Sequence, residues 1–430
     1  MIAALAAFGA ALILILARIP IALGLGIVGF IGLYAELGWR PARTVAGLAI
    51  EGSTMAYSLS VLPLFVLMGS LVAGAGISGK LFTTAQAFLG HRKGGLANAT
   101  IVACGGFGAI CGSSVATAAT MSRIAIPSMR KYGYRDSLTA GTLAAGGTLG
   151  ILIPPSVVMI VYAVATQSHI GKLFAAGVIP GVIGVLGYMA AIRWSVWRDP
   201  EAHADTPRVS WGERMRALKS VWQVVLLFGL VMGGIYSGFF TATEAAGIGA
   251  FGALLLAIFS KGLGWRGIWQ IVVDSALVST SMFFILFGAS IFVEFINLTG
   301  IHTYLNDLVT NSGMAPITII FVMVGIYILL GCFLESISMI LITIPVFFPI
   351  VTALGFDPIW FGLIVVVACE IGLITPPIGI NLFVIQTMQP DIRIQTVFRG
   401  VVPFIIADII RVSLLILAPA LVLWLPNLLF

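Results

Sequence analysis

Charged residues are scarce in this 430-residue chain: only 9% are Asp, Glu, Lys or Arg, whereas 60% are hydrophobic. A typical soluble domain carries about 25% charged residues, so a water-soluble globular protein is excluded. Apolar runs of about 20 residues, long enough to cross ~30 Å of hydrocarbon, recur from one end to the other, and they predict roughly eleven crossings plus two re-entrant pairs.

Cysteine and histidine are also few, with four residues of each. No Cys-x-x-Cys pair occurs, so neither a disulfide framework nor a transition-metal site is indicated; the cysteines are Cys104, Cys111, Cys332 and Cys369. The spans contain no Ser/His, Ser/Lys or His-Glu-x-x-His constellation; the histidines lie in predicted loops or at helix ends and are His91, His169, His203 and His302. We therefore predict a chain that is not an enzyme and holds no organic cofactor.

The first apolar run, residues 2–16, is interpreted as a retained helix. No basic segment precedes it, and Arg18-Ile19-Pro20 follows it. A secretory signal peptide would have a basic start and a small-residue cleavage site instead. Met1 leads directly into this helix, so no additional domain is expected to be fused in front of it.

Basic residues indicate the orientation, because cytoplasmic segments retain Lys and Arg. If the N-terminus is external, 17 of the 22 Lys and Arg residues collect on one face, whereas the other face has Arg40, Arg43 and Lys172. This asymmetry predicts that both termini are periplasmic. It also places the long polar stretch at 198–219 in the cytoplasm.

The two halves of the chain match at a spacing of 222 residues without a gap. Five of the six identities between 113–159 and 335–381 are glycine or proline, the residues that set where helices break. The pairs are Ser114 with Ser336, Pro127 with Pro349, Gly133 with Gly355, Gly150 with Gly372, Pro154 with Pro376 and Pro155 with Pro377.

The basic turn of the first copy is missing from the second, which indicates opposite membrane faces for equivalent turns. Arg130, Lys131 and Arg135 correspond to Thr352, Ala353 and Asp357. Such inverted-topology repeats are typical of secondary transporters, with the solute site near the midplane. We predict an all-α polytopic membrane protein with a first inverted repeat at 1–197, a cytoplasmic linker at 198–219 and a second repeat at 220–430.

A Pro-Pro pair interrupts an apolar run in each repeat, within GTLGILIPPSVVM and EIGLITPPIGIN. Proline removes a backbone donor and pushes the preceding residue out of helical geometry. Broken helices are therefore predicted at about 136–168 and 358–386, with breaks at Pro154, Pro155, Pro376 and Pro377. We place the first proline of each pair in the first turn of the second half-helix. A simple proline kink without a ligand is the alternative, although unpaired backbone at membrane depth usually lines a cavity or binds an ion.

A re-entrant helical hairpin is predicted upstream of each break, at about 94–130 and 314–353. The stretch GGFGAICGSSVATAATM contains glycines followed by Ser113-Ser114, and GCFLESISMILITIP places Glu335-Ser336 at the equivalent position. Serine is a frequent helix N-cap, so the hairpin tips are expected at 112–114 and 334–336. The alternative for such hydroxyls is a bond to their own helix backbone.

Two acids fall at predicted bilayer depth, where a carboxylate costs roughly 2.5–3.5 kcal/mol. Glu335 and Glu370 therefore require a cation, a proton or a water-filled cavity. Structural salt bridges are the alternative, although Arg123 and Arg411 are the only basic residues left in the apolar zone. Arg411 follows Asp408 by three residues, a spacing that predicts a local ion pair, and Glu244 is interpreted as a helix-start residue.

These motifs resemble the large membrane subunit of tripartite ATP-independent periplasmic (TRAP) transporters along essentially the whole chain. The carrying motifs are the two Pro-Pro breaks, GSSVATAATM, GCFLESISMILITIP and FFTATEAAGIGA. The resemblance implies an elevator-type fold and Na⁺-driven import of an organic acid such as sialic acid, a C4-dicarboxylate or a sugar acid. It also implies a periplasmic substrate-binding protein and a small four-helix membrane subunit as partners, in the bacterial inner membrane.

The resemblance also implies functional positions. One cation site would comprise Ser113, Ser114, Gly147 and Thr148, and a second Glu335, Ser336, Thr375 and Gly379. Substrate would lie between the hairpin tips, near Ser113, Thr117, Glu335, Ser338 and Asn381. Half-helix N-termini there would attract a carboxylate.

A stand-alone dicarboxylate-type ion symporter with the same inverted plan remains the main alternative, since it would need no binding protein. An intramembrane enzyme and a channel are further alternatives. The sequence does not identify the organic acid.

Overall fold

The computed structural model describes residues 2–199, 207–260, 263–301, 304 and 313–430, and within these ranges it is helical without strands. His203, His302 and residues 200–206 of the predicted linker lie outside the described residues. The described part of the first half forms ten helices: α1 (Ile2–Leu16), α2 (Ile21–Leu37), α3 (Trp39–Met55), α4 (Val61–Gly74), α5 (Ile77–Leu89), α6 (Gly95–Cys111), α7 (Ser114–Lys131), α8 (Asp136–Leu152), α9 (Val157–Ala165) and α10 (Ile170–Arg198).

The described part of the second half forms ten more helices: α11 (Trp211–Ser220), α12 (Trp222–Tyr236), α13 (Ala242–Phe259), α14 (Trp265–Leu298), α15 (Pro316–Gly331), α16 (Ser336–Ala353), α17 (Pro358–Ile374), α18 (Ile380–Met388), α19 (Ile394–Leu417) and α20 (Ala420–Leu429). The all-α polytopic fold class is confirmed. The division into inverted repeats stays a prediction.

Six described helices are long and apolar enough to cross a membrane, or up to eight if each bent pair forms one span. The pair α8–α9 bends by 42° and the pair α11–α12 by 48°. Six further apolar helices have only 10–17 residues, fewer than the roughly 20 needed for a straight crossing. The number of eleven crossings therefore stays a prediction.

The helices pack in two groups. α2, α3 and α4 lie along α14, α13 packs on α4, and α12 packs on α13. The second group contains α5–α10 and α15–α20, in which α8 contacts α6, α7 and α19, and α17 contacts α15 and α16. The groups meet mainly where α4 contacts α5, α6 and α9 and where α14 contacts α16. Both predicted hairpins and both broken helices therefore belong to one group.

Glycines allow each hairpin to approach its broken helix closely. A Cβ built on Gly108 of α6 would lie 2.6 Å from the Gly150 Cα of α8, and one on Gly331 of α15 would lie 2.9 Å from the Gly372 Cα of α17. Real Cβ atoms do not come that close, so a larger residue would separate the backbones. The contact recurs at Gly150 and Gly372, which the 222-residue spacing pairs.

Candidate functional site

The two hairpin tips lie against the two helix breaks. In the first half Gly112 ends α6 with φ +65°, and a Cβ there would lie 3.1 Å from the Pro155 carbonyl oxygen. In the second half the backbone N–H of Gly379 donates to the Cys332 carbonyl oxygen at 3.1 Å. Each tip therefore covers backbone that is freed from helical hydrogen bonding.

All four prolines of the Pro-Pro pairs lie in the breaks, and the bonds Pro154–Pro155 and Pro376–Pro377 are cis. α9 begins only at Val157 and α18 only at Ile380, so the placement of Pro154 and Pro376 in the first helical turns was wrong. Ser156 caps α9 instead, with its Oγ accepting from the Met159 N–H at 3.4 Å. The restart therefore depends on a cap that comes after the prolines.

Asn381 connects the two halves of the chain. Its Nδ2 donates to Ser114 Oγ at 2.7 Å and to the Ala144 carbonyl oxygen at 3.1 Å. Gly147 makes room for this amide, since a Cβ there would lie 3.2 Å from Asn381 Nδ2 and 2.7 Å from the Ala118 Cβ. Three predicted residues from the two halves of the chain, Ser114, Gly147 and Asn381, thus form one cluster.

Asn381 Oδ1 and Ser338 Oγ are among the buried polar atoms that have no hydrogen-bond partner within the described residues. Both residues are fully buried. An unsatisfied buried acceptor or donor costs about 1–3 kcal/mol, so these atoms are available to a polar ligand. Thr117 is buried beside the same helix, and a Cβ on Gly150 would lie 2.7 Å from its Oγ1.

The hairpin tips begin two helices in different ways. Ser113 caps α7, and its Oγ accepts from the Ala116 N–H at 3.4 Å. Glu335 occupies the N-cap of α16, makes no side-chain capping bond and is exposed, while the following Ser336 is buried. The carboxylate of Glu335 is therefore accessible at the N-terminus of a helix, where negative charge is favoured.

Thr375 and Gly379 lie next to each other at the second break. A Cβ on Gly379, which has φ +55°, would lie 3.0 Å from the Thr375 carbonyl oxygen. The Thr375 hydroxyl donates to the Ile371 carbonyl oxygen at 2.5 Å, the self-bonding that was the alternative for such hydroxyls. Its carbonyl is thus the group that faces the turn.

Thr148 faces a different set of residues. Its hydroxyl bonds to the Ala145 carbonyl oxygen at 2.7 Å and to the Tyr188 hydroxyl at 3.0 Å. Tyr188 donates in turn to Asp408 Oδ2 at 2.7 Å. The Thr148 side chain therefore points towards α10 and α19, whereas Asn381 contacts Ser114.

A buried ion network lies where these helices meet. Arg411 Nη2 is 2.5 Å from Glu370 Oε2 and 2.9 Å from Asp408 Oδ1, and all three side chains are buried. The predicted Asp408–Arg411 pair is present, and Glu370 follows its salt-bridge alternative. Arg411 also needs a glycine beside it, because a Cβ on Gly184 would collide with Arg411 Nη1. With one guanidinium for two carboxylates, the network joins α17 to α19 and, through Tyr188, to α10.

Tyr188, Ser156 and the Ala144 carbonyl were missed at the sequence level. A single tyrosine in an apolar run has no periodic signal, and a backbone carbonyl has none at all. Ser156 follows a Pro-Pro pair directly, and that position could have marked it as an N-cap. Glu244 was placed as expected: its Oε2 accepts from the Thr241 N–H at 2.8 Å in a capping box.

This arrangement of apolar helices, paired hairpins and broken helices defines a polytopic membrane transporter. A family model described as "Tripartite ATP-independent periplasmic transporter, DctM component" matches residues 8–421. The chain belongs to this family. It is a multi-pass membrane protein that acts as the permease component of an ATP-independent transporter, and it is not an enzyme.

Curated relatives cover most of the chain. The C4-dicarboxylate TRAP transporter large permease protein DctM of Pseudomonas aeruginosa is 38% identical over 373 residues, 86% of each chain. The sialic acid TRAP transporter large permease protein SiaM of Vibrio cholerae is 30% identical over 407 residues, 93% of this chain and 95% of the relative. Among solved structures, the YdaH transporter of Alcanivorax borkumensis matches with a TM-score of 0.67 over 88% of each chain at 14% identity, a likeness of fold alone.

Proposed function

We propose that this chain is the large permease subunit of a Na⁺-coupled importer of a small organic acid. The observation that carries the proposal is the bond from Asn381 to Ser114, which joins the tip of the first hairpin to the restart of the second broken helix. Secondary transporters bind solute and coupling ion where two such repeats meet. The relatives named above carry C4-dicarboxylates and sialic acid, and both solutes bear carboxylates.

Two cation sites would use the oxygen atoms at the tips and breaks. Unwound carbonyls and half-helix ends coordinate Na⁺ in transporters with broken helices. The first site would draw on Ser113, Ser114, Gly147 and Thr148. The second would draw on Glu335, Ser336, Thr375 and Gly379, where the Thr375 carbonyl and the accessible Glu335 carboxylate are hard oxygen ligands.

The organic acid would bind between the tips. Asn381 lies in the first turn of α18 and Ser338 in the first turn of α16, so both are close to helix N-termini that favour an anion. The unpartnered Asn381 Oδ1 can accept from a hydroxyl group of the solute, and the Ser338 hydroxyl can donate to its carboxylate. Ser113, Thr117 and Glu335 complete the proposed site.

An elevator movement would carry this site across the bilayer. The hairpins and broken helices share one packing group, and the group's contacts with α4 and α14 are few compared with its internal packing. A cleft of about 750 Å³ lies on this boundary, between α3 and α14 on one side and α9 and α16 on the other. Such a boundary is suited to sliding, with α1–α4 and α12–α14 as the scaffold.

The family is tripartite, so two partners are proposed: a periplasmic substrate-binding protein and a small four-helix membrane subunit. The chain would lie in the bacterial inner membrane with both termini periplasmic. Proteoliposomes test the proposal directly. We expect Na⁺-dependent accumulation of a carboxylate only when the permease, the small subunit and the liganded binding protein are combined.

The comparison includes three arms: the permease alone, the permease with the small subunit, and the complete set, each with an inward Na⁺ gradient or with choline in place of Na⁺. Robust Na⁺-dependent uptake by the permease alone would favour the stand-alone symporter. Uptake by the complete set that is equally fast in choline would contradict Na⁺ coupling.

A further inference from the structure

A basic cavity of about 510 Å³ lies between the α5–α6 turn and α10, outside the proposed transport site. Arg92, Lys93 and Arg193 line it, together with the Asn98 amide. None of these three cations forms an ion pair within the part of the chain that the structure describes. The cavity therefore holds positive charge without a counter-ion from the described chain.

The neighbouring histidine is consistent with this positive potential. His91 lies in the α5–α6 turn, and its pKa is lowered by burial and by the positive charges of Arg214, Arg208 and Arg92. An anion bound in the cavity would offset the lowering of the His91 pKa by these positive charges. The turn is thus a place where a negative group is stabilised.

An apolar groove of about 420 Å³ adjoins the basic cavity. It runs between α10 and α19, with Ile183 and Trp194 among its lining residues on α10. Ala190 lines both the cavity and the groove, so the two features are continuous. Gly187 lies beside open space in the groove, since a Cβ there would contact only the Ala407 Cβ, at 3.9 Å. A larger side chain at this position would therefore occupy the groove.

The groove has the length of an acyl chain within one leaflet. Ile183 and Trp194 are eleven positions apart on α10, which corresponds to about 16 Å along the helix axis at 1.5 Å per residue. Half of a ~30 Å hydrocarbon core is about 15 Å. Trp194 and Trp197 are exposed at the end next to the cations, where tryptophan marks the membrane–water interface. The cations therefore lie at headgroup level and the groove extends into the hydrocarbon region.

We propose that the cavity and groove bind one anionic phospholipid. The phosphate lies among Arg92, Lys93 and Arg193, and one acyl chain follows the groove between α10 and α19. Basic pockets between transmembrane helices are suited to acidic headgroups, and the groove distinguishes a lipid from a free phosphate ion. A lipid held there packs on α10 and α19, the helices that carry the Tyr188–Asp408–Arg411 network, and stabilises that packing.

Native mass spectrometry of the purified full chain tests the proposal, with phosphatidylglycerol, phosphatidylcholine or inorganic phosphate added. The variant R92Q/K93Q/R193Q removes the three cations. Each cation near an anionic surface contributes about fivefold, so we expect phosphatidylglycerol affinity to fall by about a hundredfold. The matched control R40Q/R43Q/K172Q removes three basic residues from elsewhere and should retain wild-type affinity.

Gly187→Leu fills the groove and leaves every charge in place. We expect it to weaken phosphatidylglycerol binding by at least about tenfold while inorganic phosphate binding, if any, stays unchanged; a tenfold change corresponds to about 1.4 kcal/mol. Monodisperse elution and a wild-type circular dichroism spectrum would show that the variants fold. Equal phosphatidylglycerol affinity in wild type and R92Q/K93Q/R193Q would overturn the proposal. Phosphate binding as tight as lipid binding, with no effect of Gly187→Leu, would replace the lipid with a free anion.

Discussion

Asn381 Nδ2 donates a 2.7 Å hydrogen bond to Ser114 Oγ across 267 positions of sequence. The serine begins the second helix of one hairpin, and the asparagine lies in the first turn after the opposite break. The contact therefore holds the two proposed halves of the transport site in register. It is also the contact whose loss is expected to affect transport most specifically.

Asn381→Ala should reduce the apparent affinity for the organic acid by at least about tenfold, an energy of about 1.4 kcal/mol. The physical reason is the loss of an amide that fixes Ser114 and leaves Oδ1 for the solute. Initial uptake rates over a range of solute concentrations measure this. Ser122→Ala is the matched control, because the Ser122 hydroxyl is buried but bonds its own helix at the Ala118 carbonyl oxygen. Equal effects of both substitutions would assign Asn381 a general packing role.

Ser114→Ala and Glu335→Ala should each weaken Na⁺ activation of uptake. Losing one charge-assisted ligand costs about 1.5–3 kcal/mol, which corresponds to roughly tenfold to a hundredfold in the Na⁺ concentration for half-maximal uptake. Glu335→Gln separates the charge from the shape of the side chain. Glu51→Gln, an exposed acid on α3, is the control. An unchanged Na⁺ dependence in both Ser114→Ala and Glu335→Ala would remove these residues from the cation sites.

Arg411→Met should destabilise the chain by about 3–5 kcal/mol, because it leaves the buried Glu370 and Asp408 carboxylates without their cation. Glu370→Gln should cost less, since Asp408 and Arg411 then remain as a balanced pair at 2.9 Å. Thermal unfolding in detergent, followed by tryptophan fluorescence, compares the two variants. Arg123→Met, at an exposed position on α7, should change stability by less than about 0.5 kcal/mol. If Glu370→Gln is the more damaging substitution, the charge count of the network is incorrect.

A cysteine at Ser210 should resist an impermeant thiol reagent in intact spheroplasts and react after lysis. This follows from the placement of residues 198–219 on the cytoplasmic face by the asymmetry of Lys and Arg. The four native cysteines are replaced beforehand, although all are buried. A cysteine at Arg43 is the counterpart and should react in intact spheroplasts. Reaction at Ser210 and protection at Arg43 would invert the assigned orientation.

The sequence determined the features that depend on composition and on local backbone chemistry. Scarce charge and long apolar runs specified a membrane protein, and proline and glycine specified where helices end, as at Gly112 and at the two Pro-Pro pairs. The capping box of Glu244 was also foreseeable, because its partner Thr241 is three residues away. These features involve near neighbours, so the sequence contains both participants.

The tertiary structure decided which distant groups meet. From the sequence, Glu370 required a cation, a proton or a water-filled cavity, and the fold placed Arg411 at 2.5 Å. The fold also paired the Thr148 hydroxyl with Tyr188 and the Asn381 amide with Ser114. Helical periodicity orients a side chain on its own helix but leaves open which neighbouring helix that face will contact. The pairing depends on how the whole set of helices packs, through close approaches such as Gly184 against Arg411, which short-range sequence patterns do not encode.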